Sequence, residues 1–470
     1  MTELTPVFDE KTPLYDQLYR HIVSLIRSGE LRERETLPSK RRLAEHLGVS
    51  LTTVEKAYGL LAAEGYLEAL PRKGFIVSHS LTATEEALAR EAMLARDPEL
   101  AELTRAAAWE PEPEPELDEC FSTSAVDTSV FPFATWAKLS REAVYENPDL
   151  LQRGDGQGDW GLRAALSDFL HQYRGVRCAP EQVVVTAGME GAMWIVYQLL
   201  SQYSFGLEDP GYTPLRRLLG NLERPWTPID MDDKGVRIGE LWRTDTQVAY
   251  VTPSHQFPLG VTTPMSRRGE LLNWAYQKSW RYIIEDDYDS EFRYDSRPIP
   301  AMQGMDTEGR VIYVGTFSRT IAPSIRIAYL ILPPGLVAAY RRHFGHASAT
   351  VSRFEQETLR RFLVSGAYGR HLRRAGHLYR RRRDALAAAL EGWGEVRGAD
   401  AGLHLLFTLP GREEEDLVDR AAQAGYRVRA LEEFCRTSDP LPGTLVLGFA
   451  GLPKERAEKA VEDLKRAFLE

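Results

Sequence analysis

Residues 311–319 read Val-Ile-Tyr-Val-Gly-Thr-Phe-Ser-Arg, an apolar β-rich run that ends in groups able to hold an anion. Thr316 and Ser318 offer hydroxyls, and Arg319 and Arg326 offer guanidinium forks suited to phosphate or carboxylate. A second run, Val183-Val184-Val185-Thr186-Ala187-Gly188, passes from strand to helix, and free amides at Met189 and Glu190 suit the same kind of ligand. The Glu190 carboxylate opposes a phosphate by like-charge repulsion, which weakens such a site without abolishing it. A third run ends in Glu285-Asp286-Asp287-Tyr288-Asp289. That cluster reads as a charged turn or a metal site; without a histidine or calcium-loop spacing, no metal is expected.

These residues need strands to carry them. Apolar runs at 183–186, 205–207, 248–252, 282–285, 311–314 and 327–332 alternate with helical stretches, which argues for an α/β fold with a large, mainly parallel sheet. Ligand groups then gather at the carboxyl ends of the strands. Helices at 354–363 and 368–390 follow, and a smaller C-terminal α+β subdomain contains 402–408, 426–430 and 444–449. The arginine-rich run 370–383 reads as a charged helix face.

The first 80 residues have another character. Leu14, Leu18, Ile22, Leu25 and Ile26 recur at helical spacing after Pro13, and Gly29 ends that helix. Ser39 caps a second helix, Lys40–Leu47, closed by Gly48; Ser50 starts a third that ends near Gly65. Two short helices about a Gly48-Val49 turn form a helix-turn-helix. Small strands at 66–69 and 75–78 flank Pro71-Arg72-Lys73-Gly74, a basic wing in which Arg72 and Lys73 attract DNA phosphates.

The segment 12–78 resembles the winged helix-turn-helix of the GntR family through Leu37-Pro38-Ser39-Lys40-Arg41, Leu47-Gly48-Val49-Ser50, Thr52-Thr53-Val54, Glu64-Gly65-Tyr66-Leu67 and Gly74. The resemblance implies that Ser39, Arg41, Thr52, Thr53 and Gly74 meet double-stranded promoter DNA, Arg41 at a base edge or phosphate. Leu51 stands where that family often has arginine, which removes a base or phosphate contact, so a difference in operator sequence or in affinity is expected.

The rest resembles the aminotransferase-like domain of MocR/GabR regulators, with a fold-type I outline. Matching runs are Gln152-Arg153-Gly154-Asp155-Gly156-Gln157-Gly158, Pro210-Gly211-Tyr212, Thr252-Pro253-Ser254-His255-Gln256-Phe257-Pro258 and Glu285-Asp286-Asp287-Tyr288. The resemblance implies a pyridoxal phosphate (PLP) pocket built from Gly188, Met189, Glu190, Tyr212, His255, Asp286, Tyr288, Thr316, Ser318, Arg319 and Arg326. Asp286 would face the pyridinium nitrogen and Tyr288 the ring hydroxyl. In the group, Arg319 corresponds to the lysine that holds PLP. A second departure is Val446, which aligns with the arginine for a substrate carboxylate.

Arginine removes the covalent chemistry. A Schiff base needs a neutral amine, which a lysine near pKa ~10.4 can supply when burial lowers it towards ~7. Arginine at ~12.5 or above is neutral in fewer than about one molecule in 10⁵ at pH 7. The domain is therefore expected to be inactive as an enzyme, to hold PLP non-covalently at most, or to bind another anionic metabolite. The competing reading is an active PLP-dependent aminotransferase with an appended DNA-binding domain.

The organisation expected is a DNA-binding domain at 1–80, a linker at 81–117 and an effector and dimerisation domain at 118–470. Within the linker, 85–101 reads as helix and the alternating Glu-Pro tract 109–116 as a stiff acidic spacer. The resemblance adds a head-to-tail homodimer. A net charge of −10 over 470 residues argues against general nucleic-acid coating but leaves room for a local basic surface. No membrane span or secretory signal is visible, and Cys120, Cys178 and Cys435 have no metal or redox spacing. A cytoplasmic location is expected.

Overall fold

A computed structural model describes residues 4–6, 8–9, 12–70, 74–78, 93, 117–294, 299–437 and 441–469. The chain divides between Glu114 and Pro115 into two compact units. Arg72 and Lys73 of the wing, the helix expected at 85–101 and the Glu-Pro spacer lie outside the described residues.

In the first unit, helices α1 (Leu14–Arg27), α2 (Lys40–Leu47) and α3 (Leu51–Ala63) precede a hairpin of β1 (Leu67–Leu70) and β2 (Gly74–Val77). Helices α2 and α3 start where short polar side chains can satisfy their free amides. Ser39 accepts the Arg42 N–H at 3.3 Å and Ser50 accepts that of Thr53 at 3.1 Å. Gly48, at φ 64°, closes α2 in a conformation that L side chains avoid. Leu18 and Ile22 of α1, Leu43 of α2 and Val54, Ala57, Tyr58 and Leu61 of α3 are fully buried together. The two strands pair Leu67 with Val77 and Leu70 with Gly74, one residue away from the expected limits. Leu67 and Val77 are the buried ends that fix that register.

In the second unit an eight-stranded sheet has the order β3-β10-β9-β8-β7-β4-β5-β6. Its strands are β3 (Val183–Ala187), β4 (Phe205–Asp209), β5 (Trp226–Asp232), β6 (Gly235–Val236), β7 (Val248–Val251), β8 (Tyr282–Asp287), β9 (Val311–Thr316) and β10 (Ile327–Ile331). Strands β4, β5, β7, β8 and β9 run parallel, whereas β10 is antiparallel to both its neighbours and β6 is antiparallel to β5. Successive side chains split between two covered faces. Val184, Ile312, Val314 and Leu330 pack on one side; Val183, Val185, Tyr313, Tyr329 and Ile331 pack on the other. Strand β5 escapes sequence reading because Pro228, Asp230 and Asp232 interrupt it, which an outer position tolerates.

A four-stranded antiparallel sheet follows, β11 (Glu395–Arg397), β12 (His404–Thr408), β13 (Arg429–Ala430) and β14 (Thr444–Gly448), in the order β11-β12-β14-β13. The helices Ala367–Leu390 and Lys454–Leu469 contribute Leu386, Leu390, Val461 and Leu464 to its core. The arginine row on the first of these is not uniformly a solvated face. Arg370, Arg373, Arg374, Arg380 and Arg381 are exposed, but Arg382 and Arg383 are buried, with Arg382 paired to Asp127. No described helix is long and apolar enough to cross a membrane.

Candidate functional site

The first unit exposes part of the set expected to meet DNA. Arg41 on α2 and Thr52 on α3 are exposed, so each can reach a partner without rearranging the core. Thr53 is half-buried, and its hydroxyl lies 2.8 Å from Ser50 Oγ, so the cap already uses it. Ser39 likewise serves as the cap of α2. Gly74 is exposed at φ 91° at the start of β2. Leu51, the first residue of α3, is exposed and apolar.

In the second unit β8 and β9 end side by side, with Asp286 opposite Val314 and Asp287 opposite Gly315. Alternation sends the β8 carboxylates to different places. Glu285 turns into the fold and accepts the Met302 and Gln303 amides, each at 2.7 Å. Asp287 pairs with Arg174 at 2.7 Å. Asp286, between them, lines a cleft. Its Oδ2 accepts the Tyr250 hydroxyl, while its Oδ1 is buried and has no hydrogen-bond partner among the described residues. Burial pushes the Asp286 carboxyl up to about 7, helped by Asp287, Asp289 and Glu208 and opposed by the Tyr250 hydrogen bond.

The β9 end supplies the neighbouring wall. Thr316 Oγ1 lies 3.2 Å from Ser318 Oγ and accepts the Ser318 N–H at 3.2 Å. Arg319 is half-buried and donates to the Thr123 carbonyl. Arg326, at φ 50°, binds Glu190 through Nη2 and Oε2 at 2.5 Å. Glu190 stands in the first turn of the helix Gly188–Leu199.

Every residue expected in the pocket lines this cleft except two, and Thr252 and Phe257 join them. Gly188 lies beneath the Arg326 guanidinium, which would collide with any Cβ there. His255 is set behind the wall, 1% exposed, with Nδ1 2.9 Å from Asp289 Oδ2. That correction has a simple cause, since a buried imidazole takes the nearest carboxylate as partner. Tyr288 turns its hydroxyl to the His255 carbonyl at 3.0 Å. His255, Asp289 and His404 offer ligand-type atoms within 4.8 Å of one another. His404 Nε2, however, lies 3.0 Å from the Pro258 carbonyl, and the first two already pair, so the trio reads as hydrogen-bonded core. Val446 is fully buried among Phe257, Leu406, Leu431 and Phe434, against which Tyr212 and Tyr288 pack.

Sequence reasoning missed Tyr250 and Thr123 as partners of site residues. Tyr250 sits in an apolar strand, where tyrosine is ordinary core. Thr123 acts through its backbone, which no side-chain pattern records.

Comparison with known proteins separates the same two parts. Residues 14–77 match the family of bacterial regulatory proteins called gntR, and residues 121–464 match aminotransferase class I and II. The chain is 34% identical to the probable rhizopine catabolism regulatory protein MocR of Rhizobium meliloti, covering 98% of this chain and 95% of that protein. The chain belongs to the MocR-type regulators. It is 36% identical to the uncharacterized HTH-type transcriptional regulator YdeL of Bacillus subtilis, over 99% of both chains. It is 32% identical to the pyridoxine biosynthesis regulator PdxR of Corynebacterium glutamicum, over 90% of this chain and 89% of that one. An archaeal alanine:glyoxylate aminotransferase superposes with a TM-score of 0.68 at 23% identity, over 80% of this chain and 94% of its own. That likeness shows the fold. The MocR-type chain is therefore a transcriptional regulator with a GntR helix-turn-helix and an aminotransferase-like domain of fold type I.

Proposed function

We propose that this regulator binds promoter DNA through Arg41, Thr52 and the wing, and that its aminotransferase-like domain binds a small ligand without catalysing its conversion. What supports the second half is Arg319, a guanidinium that lines the cleft; the resemblance matches its position to the family's cofactor lysine. Among the described residues no lysine lines that cleft, so none of those side chains can form the covalent link or relay a proton as an amine.

PLP supplies an electron-withdrawing ring to enzymes that bind it. Part of this cleft fits such a ring. The unpartnered Oδ1 of Asp286 is an acceptor for a ring N–H, and Tyr212 and Phe257 give apolar contact. Two parts do not fit: Arg319 offers no amine for the aldehyde carbon, and Glu190 stands with Arg326 where a phosphate would seek donors. We therefore route no reaction step through the cofactor.

The domain also serves to dimerise, in the head-to-tail arrangement implied by its family, and the protein acts in the cytoplasm. Phe133, Tyr145 and Leu151, exposed at 65%, 81% and 77%, are apolar side chains that such an association could cover. The DNA-binding half is tested by gel shift with a promoter fragment. Specific binding should disappear on deletion of residues 1–80; binding that survives the deletion contradicts the reading.

A further inference from the structure

The anion-binding corner of the cleft is already taken by an acid of the chain itself. Glu190 Oε2 lies 2.5 Å from Arg326 Nη2, at the amino end of the helix Gly188–Leu199. Partial burial alone would raise the Glu190 carboxyl, but its own backbone N–H and the Arg326 guanidinium hold it below the ordinary carboxylate range. It stays charged near neutrality and engages a helix-end amide and a guanidinium, the two donor types an incoming phosphate needs. The position is built in, because Gly188, at φ 77°, has no Cβ and lets the Arg326 guanidinium lie against it.

At the other side of the cleft, Asp286 is 5% exposed and its Oδ1 lacks a partner among the described residues. A buried acceptor of this kind is stabilised by a ligand N–H. Among the described residues, the charged side chains that line the cleft are Glu190, Asp286, Arg319 and Arg326. Two acids thus face two cations, so the balance is neutral, or one positive charge when Asp286 is protonated. A phosphate monoester brings about −1.5 to −2 at pH 7, which exceeds that surplus. A zwitterion or a monoanion matches it.

We infer that Glu190 is a selectivity residue that keeps phosphate esters out, and that the cleft takes a small ligand with a donor nitrogen for Asp286 and at most one negative charge. This deepens the ligand-pocket reading above and rests on it. Both members of the Glu190–Arg326 pair are about half exposed, at 58% and 51%, so solvent screens the effect and the filter is graded.

The test uses full-length protein and calorimetric titration with pyridoxine and pyridoxine 5′-phosphate, which share a ring, differ in the phosphate and carry no reactive aldehyde. Wild type should bind the phosphate no more tightly than pyridoxine. Glu190→Gln should shift the ratio by at least about tenfold towards the phosphate, and E190Q/R326A should lose that shift. A wild-type preference of about tenfold or more for the phosphate overturns the filter, as does a ratio that Glu190→Gln leaves unchanged or a shift that survives in E190Q/R326A. In those cases binding of pyridoxine itself leaves the pocket reading standing. Failure of all three proteins to bind either probe overturns both.

Discussion

The helix-turn-helix head and the cleft of the second unit are built on opposite plans. The head is made from neighbours in sequence: α2, its glycine turn and α3 span Lys40 to Ala63, and each helix carries its own cap. Its exposed Arg41 and Thr52 stand free of the core. The cleft collects residues from Met189 to Arg326 on several strand and helix ends, and its charges answer one another, Glu190 to Arg326 and Asp286 to Tyr250. Local elements make the head a module that tolerates little change in its core. A site pooled from distant segments can change its chemistry while the sheet beneath it stays intact.

The sharpest way to break that contrast is through the core of the head. Leu61→Ala opens a cavity at a fully buried position and should cost ~2–5 kcal/mol of that unit's stability. Hydrogen exchange should show lost protection in 14–77 and unchanged protection in the large sheet. Equal loss in both would mean that the units are not independent.

In the cleft, the group to remove is Asp286. Its carboxyl is raised to about 7 in the fold, so the folded state holds a proton that the unfolded chain releases nearer pH 4. Unfolding free energy should fall as pH rises between those values, by a few kcal/mol at most at ~1.4 kcal/mol per pKa unit. Asp286→Asn should flatten that slope in chemical denaturation at pH 4.5, 6 and 7.5. An unaltered slope would assign it to other buried acids such as Glu208, also raised to about 7 by burial.

Smaller effects sharpen the picture of the head. Arg41→Ala should weaken specific promoter binding by ~1–3 kcal/mol in gel shifts, with calorimetric ligand binding unchanged. Ser50→Ala removes the cap that accepts the Thr53 amide and should cost ~1 kcal/mol in thermal unfolding of the head. A loss of ligand affinity in either variant would tie the two regions together.

Legibility follows the same division. Ser39, Gly48 and Ser50 announce helix ends by local chemistry, so both ends of α2 and the start of α3 could be read to within a residue, and the end of α3 to within two. Apolar runs gave the buried strands β3, β4, β7, β8, β9 and β10, since strands covered on both faces are continuously hydrophobic. The antiparallel sense of β10 and the interrupted β5 were not readable, because neither pairing direction nor an outer position leaves a mark in a single run. In the site, residues at strand ends were legible. The retreat of His255 behind Tyr288 was not, because its partner Asp289 is 34 residues away and periodicity carries no such pairing. The Glu190–Arg326 bond spans 136 residues and was equally hidden; sequence foresaw only the repulsion.

The central claim is that the cleft binds without catalysing, and residue 319 decides it. Wild-type protein and Arg319→Lys should each be incubated with pyridoxal phosphate in an excess that overcomes the graded Glu190 filter, reduced with borohydride, and digested for mass spectrometry of the peptide that spans 319. The account predicts no fixed cofactor in the wild-type peptide, a fixed cofactor on the introduced lysine, and no amino-group transfer by wild type. Cofactor fixed within the wild-type cleft, or amino-group transfer from an amino acid by wild type, would contradict it.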